Sequence, residues 1–187
     1  MIANASINKM TVVLHGAEYK AIQIGTVMTH PDYRNQGLSG KLMNHIIAKY
    51  ERDYDFIYLF ANETVLDFYP KFGFETVQES NFSMRISGLQ RQPAALRQLH
   101  ADNPEDLQLM KEYAREHVPV SSRLGVKNDE HLVMFYCILA FADDMYYIEE
   151  EETIVIYQQG NGELHLFAVI SKEKTDLNAV LQCIVLD

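Results

Sequence analysis

The stretch THPDYRNQGLSGKLMNHII, Thr29–Ile47, leaves a strand and enters a helix, with an arginine, a glutamine and two glycines packed between Arg34 and Gly40. A strand that runs straight into a glycine-rich turn and a helix leaves several backbone N–H groups unpaired at the helix mouth. Those donors and the helix dipole together make an anion site, and phosphate is its commonest biological occupant. Gly37 lets the backbone approach such a ligand closely, and Arg34 adds a charge-assisted fork at the rim. Turn chemistry alone also places glycine at a helix entrance, and that is the competing reading.

The elements on either side follow from hydrophobic period. Leu38, Leu42, Ile46 and Tyr50 recur on one side of the helix with Met43 and Ile47, while Lys41, Asn44, His45 and Arg52 face away. Upstream, Asn8–Leu14 and Lys20–Met28 are β-like stretches joined by His15-Gly16-Ala17-Glu18, a hairpin signal. Downstream, DFIYLF (Asp55–Phe60) is almost wholly apolar, the mark of a strand covered on both faces. A short helix follows around Thr64–Lys71, stopped by Gly73, and strands are expected at Phe74–Gln78 and Phe82–Ile86.

SGLQRQPAA, Ser87–Ala95, is the best linker, and after it the pattern restarts. Leu96–His100 reads as a strand. Asn103 before Pro104, with Asp106 in the first turn, signals a helix whose apolar side is Leu107, Met110, Ala114 and His117, ending at Pro119. Asn128 or Asp129 caps an apolar helix running to Ala142. Its hydrophobic residues lie on every side, so it must be covered on more than one face. Met145–Ile148, Thr153–Gln158 and Leu164–Ile170 are strands, the last two joined across Gly160-Asn161-Gly162. A short helix near Leu177–Gln182 and a strand Ile184–Leu186 finish the pattern.

With 187 residues, 48% hydrophobic and 22% charged, the chain is globular and long enough for one full domain or two small ones. A net charge of −10 without a Lys/Arg cluster argues against duplex binding and suits cationic small molecules or basic peptides. Glu149–Glu152 is the main charge run, read as a solvated strand connection. Cys137 and Cys183 are far apart with no metal-ligand spacing, so they read as buried thiols in a reducing compartment. The longest apolar run is too short to span a bilayer, and no signal pattern is present; the expectation is a soluble, cytoplasmic protein.

VMTHPDYRNQGLSGKLM resembles the acetyl-CoA loop of the GCN5-related N-acetyltransferases (GNATs), whose signature is Arg/Gln-x-x-Gly-x-Gly/Ala between the fourth strand and the third helix. Arg34 matches its first position and Gly37 its second; Ser39 stands where Gly or Ala is usual, followed by Gly40. The resemblance continues through DFIYLF as the fifth strand and through NETVLDFYPKFGFETV, similar to the family's FYxxxGF element. It implies an α/β fold with a mixed sheet and an acetyl-CoA-dependent N-acetyltransferase acting on a primary amine, with acetyl-CoA as donor and no metal. By it, Arg34, Asn35, Gln36, Gly37, Leu38, Ser39 and Gly40 would hold the pyrophosphate. Val27 and Thr29 would offer backbone groups to the pantetheine arm, and Asn62 would hydrogen-bond the pantetheine or the acetyl end. Tyr69 would protonate the departing thiolate, a role a phenol beside a leaving CoA thiol can fill on chemical grounds; its alternative is aromatic packing beside Phe68. Glu18, His30 and Glu63 are candidates for the base that takes the amine proton, none distinguished, and His30 reads better as a structural partner in the strand-exit turn.

The family's order is strand, two helices, a three-strand meander, then the loop. This sequence opens at the meander, so the GNAT-like fold is expected to be N-terminally incomplete. Leu96–Ile170 repeats the order of the front half, and its own loop, Ser171–Asp176 (SKEKTD), lacks the glycine signature. The domains expected are 1–88, the acetyl-CoA-binding part; 89–95, a linker; and 96–187, a second, degenerate GNAT-like unit. Two arrangements stay open: a shortened tandem, or a fold-back of Leu96–Ala142 onto the first half, in cis or by exchange within a homodimer. The partners expected are a small-molecule or peptide amine, with no nucleic acid and no membrane. A non-catalytic acyl-CoA-binding or regulatory module is the rival function.

Overall fold

A computed structural model of the chain describes residues 1–85 and 88–185. The described residues fall into two units: Met1–Val12 with Ala17–Ser83, and Val13–Gly16 with those from Met84 onward.

The first unit opens on a hairpin of β1 (Ala3–Leu14) and β2 (Ala17–Thr29). Its turn is His15-Gly16, both at positive φ (50° and 82°), as a two-residue type I′ turn requires. Both strands extend beyond the stretches expected from alternation. Ala3–Ile7 is poor in β-formers, and pairing with the neighbouring strand makes it a strand. The helix α1 (Leu38–Tyr50) then leads to β3 (Phe56–Leu59), which pairs parallel to β2 from Ala21↔Phe56 to Ile24↔Leu59. Ile22 and Ile24 face α1 and meet its Met43 and Ile46. Ile22 and Met43 are wholly enclosed, each contributing roughly 2–3 kcal/mol by burial. A 3-10 helix, Glu63–Phe72, lays Phe68, Tyr69 and Phe72 against the same cluster and ends at Gly73, φ 83°.

The second unit comprises β4 (Leu96–Gln98), α2 (Pro104–Glu116), β5 (Leu124–Lys127), α3 (Glu130–Leu139), β6 (Met145–Ile148), β7 (Thr153–Gly160), β8 (Glu163–Ser171) and α4 (Leu177–Ile184). An antiparallel sheet runs in the order β4-β6-β7-β8. β7 is buried on both faces. Ile154 and Ile156 pack with Met110 of α2 and Cys137 of α3, and Val155 packs with Val180 and Ile184 of α4. Asn161 and Gly162 (φ 53° and 77°) turn β7 into β8, so Gly160 belongs to the strand rather than the turn. The hairpin tip Val13–Gly16 belongs to this unit. There the His15 and Gly16 amides donate to the Arg123 and Ser122 carbonyls (3.1 and 2.8 Å).

The start of α2 matches its sequence signal: Asn103 Oδ1 accepts from the Glu105 amide at 2.9 Å, ahead of Pro104. Asn103→Ala is expected to cost about 1 kcal/mol, read as a lower urea midpoint.

Several expectations are corrected. β3 is an edge strand, with only Ile57 and Leu59 in the core cluster and Phe56 and Phe60 exposed, so it is not covered on both faces. Phe74–Gln78 and 82–85 form no strands; Val77 and Phe82 stand in solvent because nothing supplies them a ladder. Ile86, the end of the second of these, lies outside the described residues, as does Ser87. β5 was unforeseen. The apolar helix stops at Leu139, and its Phe135, Ile138 and Leu139 are exposed rather than covered. Ile184 closes α4 instead of opening a strand, whose end, Leu186, is outside the described residues. Residues 89–95 are tied down: the Gln92 amide donates to the Gln182 carbonyl (3.0 Å), and the Ala95 amide to both carboxylate oxygens of Glu150 (3.0 Å). Glu150 is thereby more than a solvated charge.

Candidate functional site

The parallel pair β2–β3 sets the site. Its ladder ends at Ile24↔Leu59, yet β2 runs on to Thr29, so the strand from Gly25 onward has lost its β3 neighbour. Each parallel strand then feeds a helix: β2 into α1, β3 into Glu63–Phe72. The result is a gap between two strand ends, flanked by two helix entrances.

At the first entrance, Pro31–Tyr33 forms a 3-10 turn capped by His30, whose Nδ1 accepts from the Asp32 amide at 3.4 Å. That contact, and the Tyr33 ring 5.9 Å away, give His30 the structural role foreseen for it. Asn35 and Gly37 both take positive φ (61° and 72°), which brings the chain round into α1. Gly37 is the N-cap and has no side chain to cover the helix mouth. The first intrahelical bond runs from the Lys41 amide to the Gly37 carbonyl (3.0 Å), so the N–H groups of Leu38, Ser39 and Gly40 precede the ladder. A Cβ at Gly37 would meet nothing within 4 Å, so the space above it is open. Asn35, Gln36 and Arg34 are exposed around it. The donor set and the open space suit a pyrophosphate.

Ser39, the departure from the glycine signature, has a local reason. Its hydroxyl and that of Thr29 lie 2.7 Å apart, tying the strand exit to the first turn of α1. Arg34 Nε reaches the Thr29 carbonyl at 3.4 Å, so part of what Thr29 can offer a ligand is already engaged. Gly40 lies against the Phe72 ring, its Cβ position 3.5 Å from Cζ, which brings the loop beside the helix that carries Tyr69.

At the second entrance Asn62 is the N-cap. Its Oδ1 accepts from both the amide and the hydroxyl of Thr64 (3.0 and 2.8 Å), so what it can present to a ligand is its Nδ2 donors. Tyr69 packs edge-on to Phe68 (5.3 Å) and Phe74 (6.2 Å), and burial raises its phenol above the ordinary value, keeping the proton on at neutral pH. Of the other base candidates, Glu18 lies seven residues before Gly25 on an extended strand, about 23 Å away, and is too distant to serve. Glu63 is exposed in the first turn of the 3-10 helix.

Sequence reasoning missed Thr26. It sits in β2 at φ 51°, in Val27's neighbourhood at the gap, and a β-branched residue in the left-handed region is a true outlier. Asn4 Nδ2 donates to its carbonyl (3.1 Å) and the Ser6 hydroxyl to its Oγ1 (3.2 Å), so β1 holds the distortion. Such a kink re-aims the backbone groups on either side of it. Nothing in the residue types signals it.

Among the described residues, no helix of the second unit opens on a glycine as α1 does. Where α1 opens on a glycine, α4 opens on Asp176, whose carboxylate accepts from the Asn178 amide (2.9 Å) and would repel a phosphate. Cys137 and Cys183 are buried free thiols, and burial pushes Cys137 up to about 11. Among the described residues no cluster of His, Cys, Asp and Glu is placed to hold a metal ion.

Residues 1–77 match the acetyltransferase (GNAT) domain family. They belong to it. This stretch is similar to N-alpha-acetyltransferase 50 of Danio rerio, 37% identical over a 78-residue alignment that covers 38% of this chain and 46% of that protein. Among solved structures, a conserved Enterococcus faecalis V583 protein of unknown function, described as a probable N-acyltransferase, aligns at TM-score 0.57 and 17% identity. The alignment covers 97% of this chain and 48% of that one. A GCN5-related N-acetyltransferase from Kribbella flavida aligns at 0.50 and 17%, over 97% and 45% of the two chains. The chain thus spans a little under half the length of each. At such identity the structural likenesses speak to fold alone, and they cover nearly all of this chain.

Proposed function

We propose that the chain works as an acetyl-CoA-dependent N-acetyltransferase whose acceptor is the free α-amine of a polypeptide. One observation carries the reading: an uncapped helix mouth behind left-handed Gly37, at the end of a strand that has parted from its parallel neighbour, in a GNAT domain. The similarity to an N-alpha-acetyltransferase supports the α-amine.

The N–H groups of 38–40 and the Arg34 guanidinium hold the pyrophosphate. The gap beyond Ile24 and Leu59 takes the pantetheine arm, lined by Val27 and Thr29 on one side and Asn62 on the other. In the transfer, the neutral amine's lone pair attacks the thioester carbonyl carbon. The C–N bond forms, the C–S bond breaks, and the amine proton passes to water. The Tyr69 phenol protonates the departing thiolate and recovers its proton from solvent.

Gly37→Asp tests the reading. It sets a carboxylate against the pyrophosphate and forces a side chain into the left-handed region. Calorimetry should show acetyl-CoA affinity falling at least tenfold, about 1.4 kcal/mol, and unchanged affinity in a folded variant refutes the site. A wild-type protein that binds acetyl-CoA yet acetylates nothing in a panel of free-amine peptides and small amines favours the binding-module alternative.

A further inference from the structure

Gln23 is buried in the middle of β2, at 8% exposure, and its Oε1 has no hydrogen-bond partner. A buried amide oxygen without a donor carries the cost of a lost hydrogen bond, a cost that an apolar side chain of similar size would not carry. Its location suggests a donor that arrives with a ligand. Ile22 and Ile24 face α1, so by strand alternation Gln23 faces the other side of the sheet. Its β3 partner is Tyr58, flanked by Phe56 and Phe60, each ring 6.0 Å from that of Tyr58. The Tyr58 hydroxyl donates to Met10 Sδ at 3.0 Å. Because β2 lies between β3 and β1, the Tyr58 side chain crosses β2 at the level of Gln23 and roofs the amide.

Gln23 stands two residues before Gly25, where β2 loses its neighbour. Tyr69 packs with the Ile22, Ile24 and Met43 cluster on the α1 face, so the phenol and the Gln23 oxygen occupy opposite faces of the sheet beside one gap. A nucleophile must reach the thioester from a side that neither the leaving thiol nor its acid occupies. That side is Gln23's.

We propose that Gln23 is an acceptor-binding residue: its Oε1 takes an N–H from the α-amino end of the incoming peptide and holds that nitrogen at the gap. The proposal rests on the acetyltransferase reading and deepens it. A carboxamide suits the task better than a carboxylate, because it accepts an N–H without stabilising the ammonium form, which has no lone pair to attack with. Access requires the Tyr58 ring to move off the amide.

The probe is a conjugate in which the α-nitrogen of a tetrapeptide is joined through a methylene carbonyl to the sulfur of coenzyme A, compared by calorimetry with acetyl-CoA alone. The wild type should bind the conjugate more tightly than acetyl-CoA. Gln23→Met, and Gln23→Leu as a second variant, should weaken the conjugate at least tenfold, leave acetyl-CoA within twofold and keep or raise Tm. In the wild type, the Gln23 side-chain amide resonances should shift with the conjugate and stay in place with acetyl-CoA. Equal affinity of variant and wild type for the conjugate overturns the proposal, as does a conjugate that binds wild type no better than acetyl-CoA. In both cases retained acetyl-CoA binding leaves the acetyltransferase reading intact. Failure of the wild type to bind acetyl-CoA at all removes that reading, and this one with it.

Discussion

Tyr69→Phe is expected to lower kcat about 10²-fold while acetyl-CoA binds with unchanged affinity. The substitution keeps the ring, so the edge-on contacts to Phe68 at 5.3 Å and Phe74 at 6.2 Å survive and the variant folds. Only the hydroxyl is lost. A thiolate leaving without a proton donor is a better nucleophile toward the new amide's precursor than a thiol, so departure reverses more readily. The phenol suits the role because burial raises its pKa above the ordinary 10.0, and at neutral pH it is fully protonated. The sign of the pH effect follows: wild-type kcat holds through neutrality and falls only at alkaline pH, as Tyr69 loses its proton. The variant lacks that limb. Thiol release measured against a free-amine peptide, together with calorimetry for acetyl-CoA, separates the outcomes. Wild-type turnover by the variant assigns Tyr69 to packing alone.

What was legible in the residues is what local chemistry decides. The stripe Leu38-Leu42-Ile46 with Met43 gave α1, because a 3.6-residue period has one structural meaning at that length. His15-Gly16-Ala17-Glu18 and Gly160-Asn161-Gly162 announced their hairpins, and the structure narrows the turns to His15-Gly16 and Asn161-Gly162, the pairs that take two positive φ angles. Asn103-Pro104 announced α2. The illegible parts depend on partners distant in sequence. Phe82-Ser83-Met84 alternates like a strand but is not one, while Leu124–Lys127 hardly alternates and is a strand. The same division runs through the site. The loop's glycines could be read from spacing. The left-handed Thr26 could not, because Asn4 and Ser6, which hold it, lie about twenty residues away. For Asn62 the resemblance implies only a contact to the pantetheine; the structure shows that it caps a helix, where Thr64 takes its oxygen and leaves the Nδ2 donors.

Asp106 looked from sequence like an ordinary acidic residue in a helix first turn, worth a few tenths of a kcal/mol there. The structure buries it at 3% exposure, where it accepts from the Arg97 guanidinium and from the His100 amide at 3.0 Å, joining α2 to β4 and the loop after it. Burial by itself would raise its pKa. The Arg97 hydrogen bond and the His100 amide outweigh that, and the carboxyl is held below the usual range. Asp106→Asn keeps the shape but offers one acceptor atom where the carboxylate has two, so either the Arg97 guanidinium or the buried His100 amide faces an N–H. Arg97 is half exposed and can turn to water, whereas the amide cannot. The expected cost is about 1–3 kcal/mol, the range for a buried polar group left without its partner. It should appear as a lower urea midpoint with the slope unchanged. The pH dependence gives the second readout. A folded pKa below the unfolded one means the unfolded chain binds more protons, so this carboxylate's contribution is complete above roughly pH 4 and is lost as pH falls through the lower, folded value. The stability gap between wild type and Asp106→Asn should therefore be constant from neutrality down to that point and shrink below it. A gap that does not change with acidity would mean that Asp106 acts through its shape and not its charge.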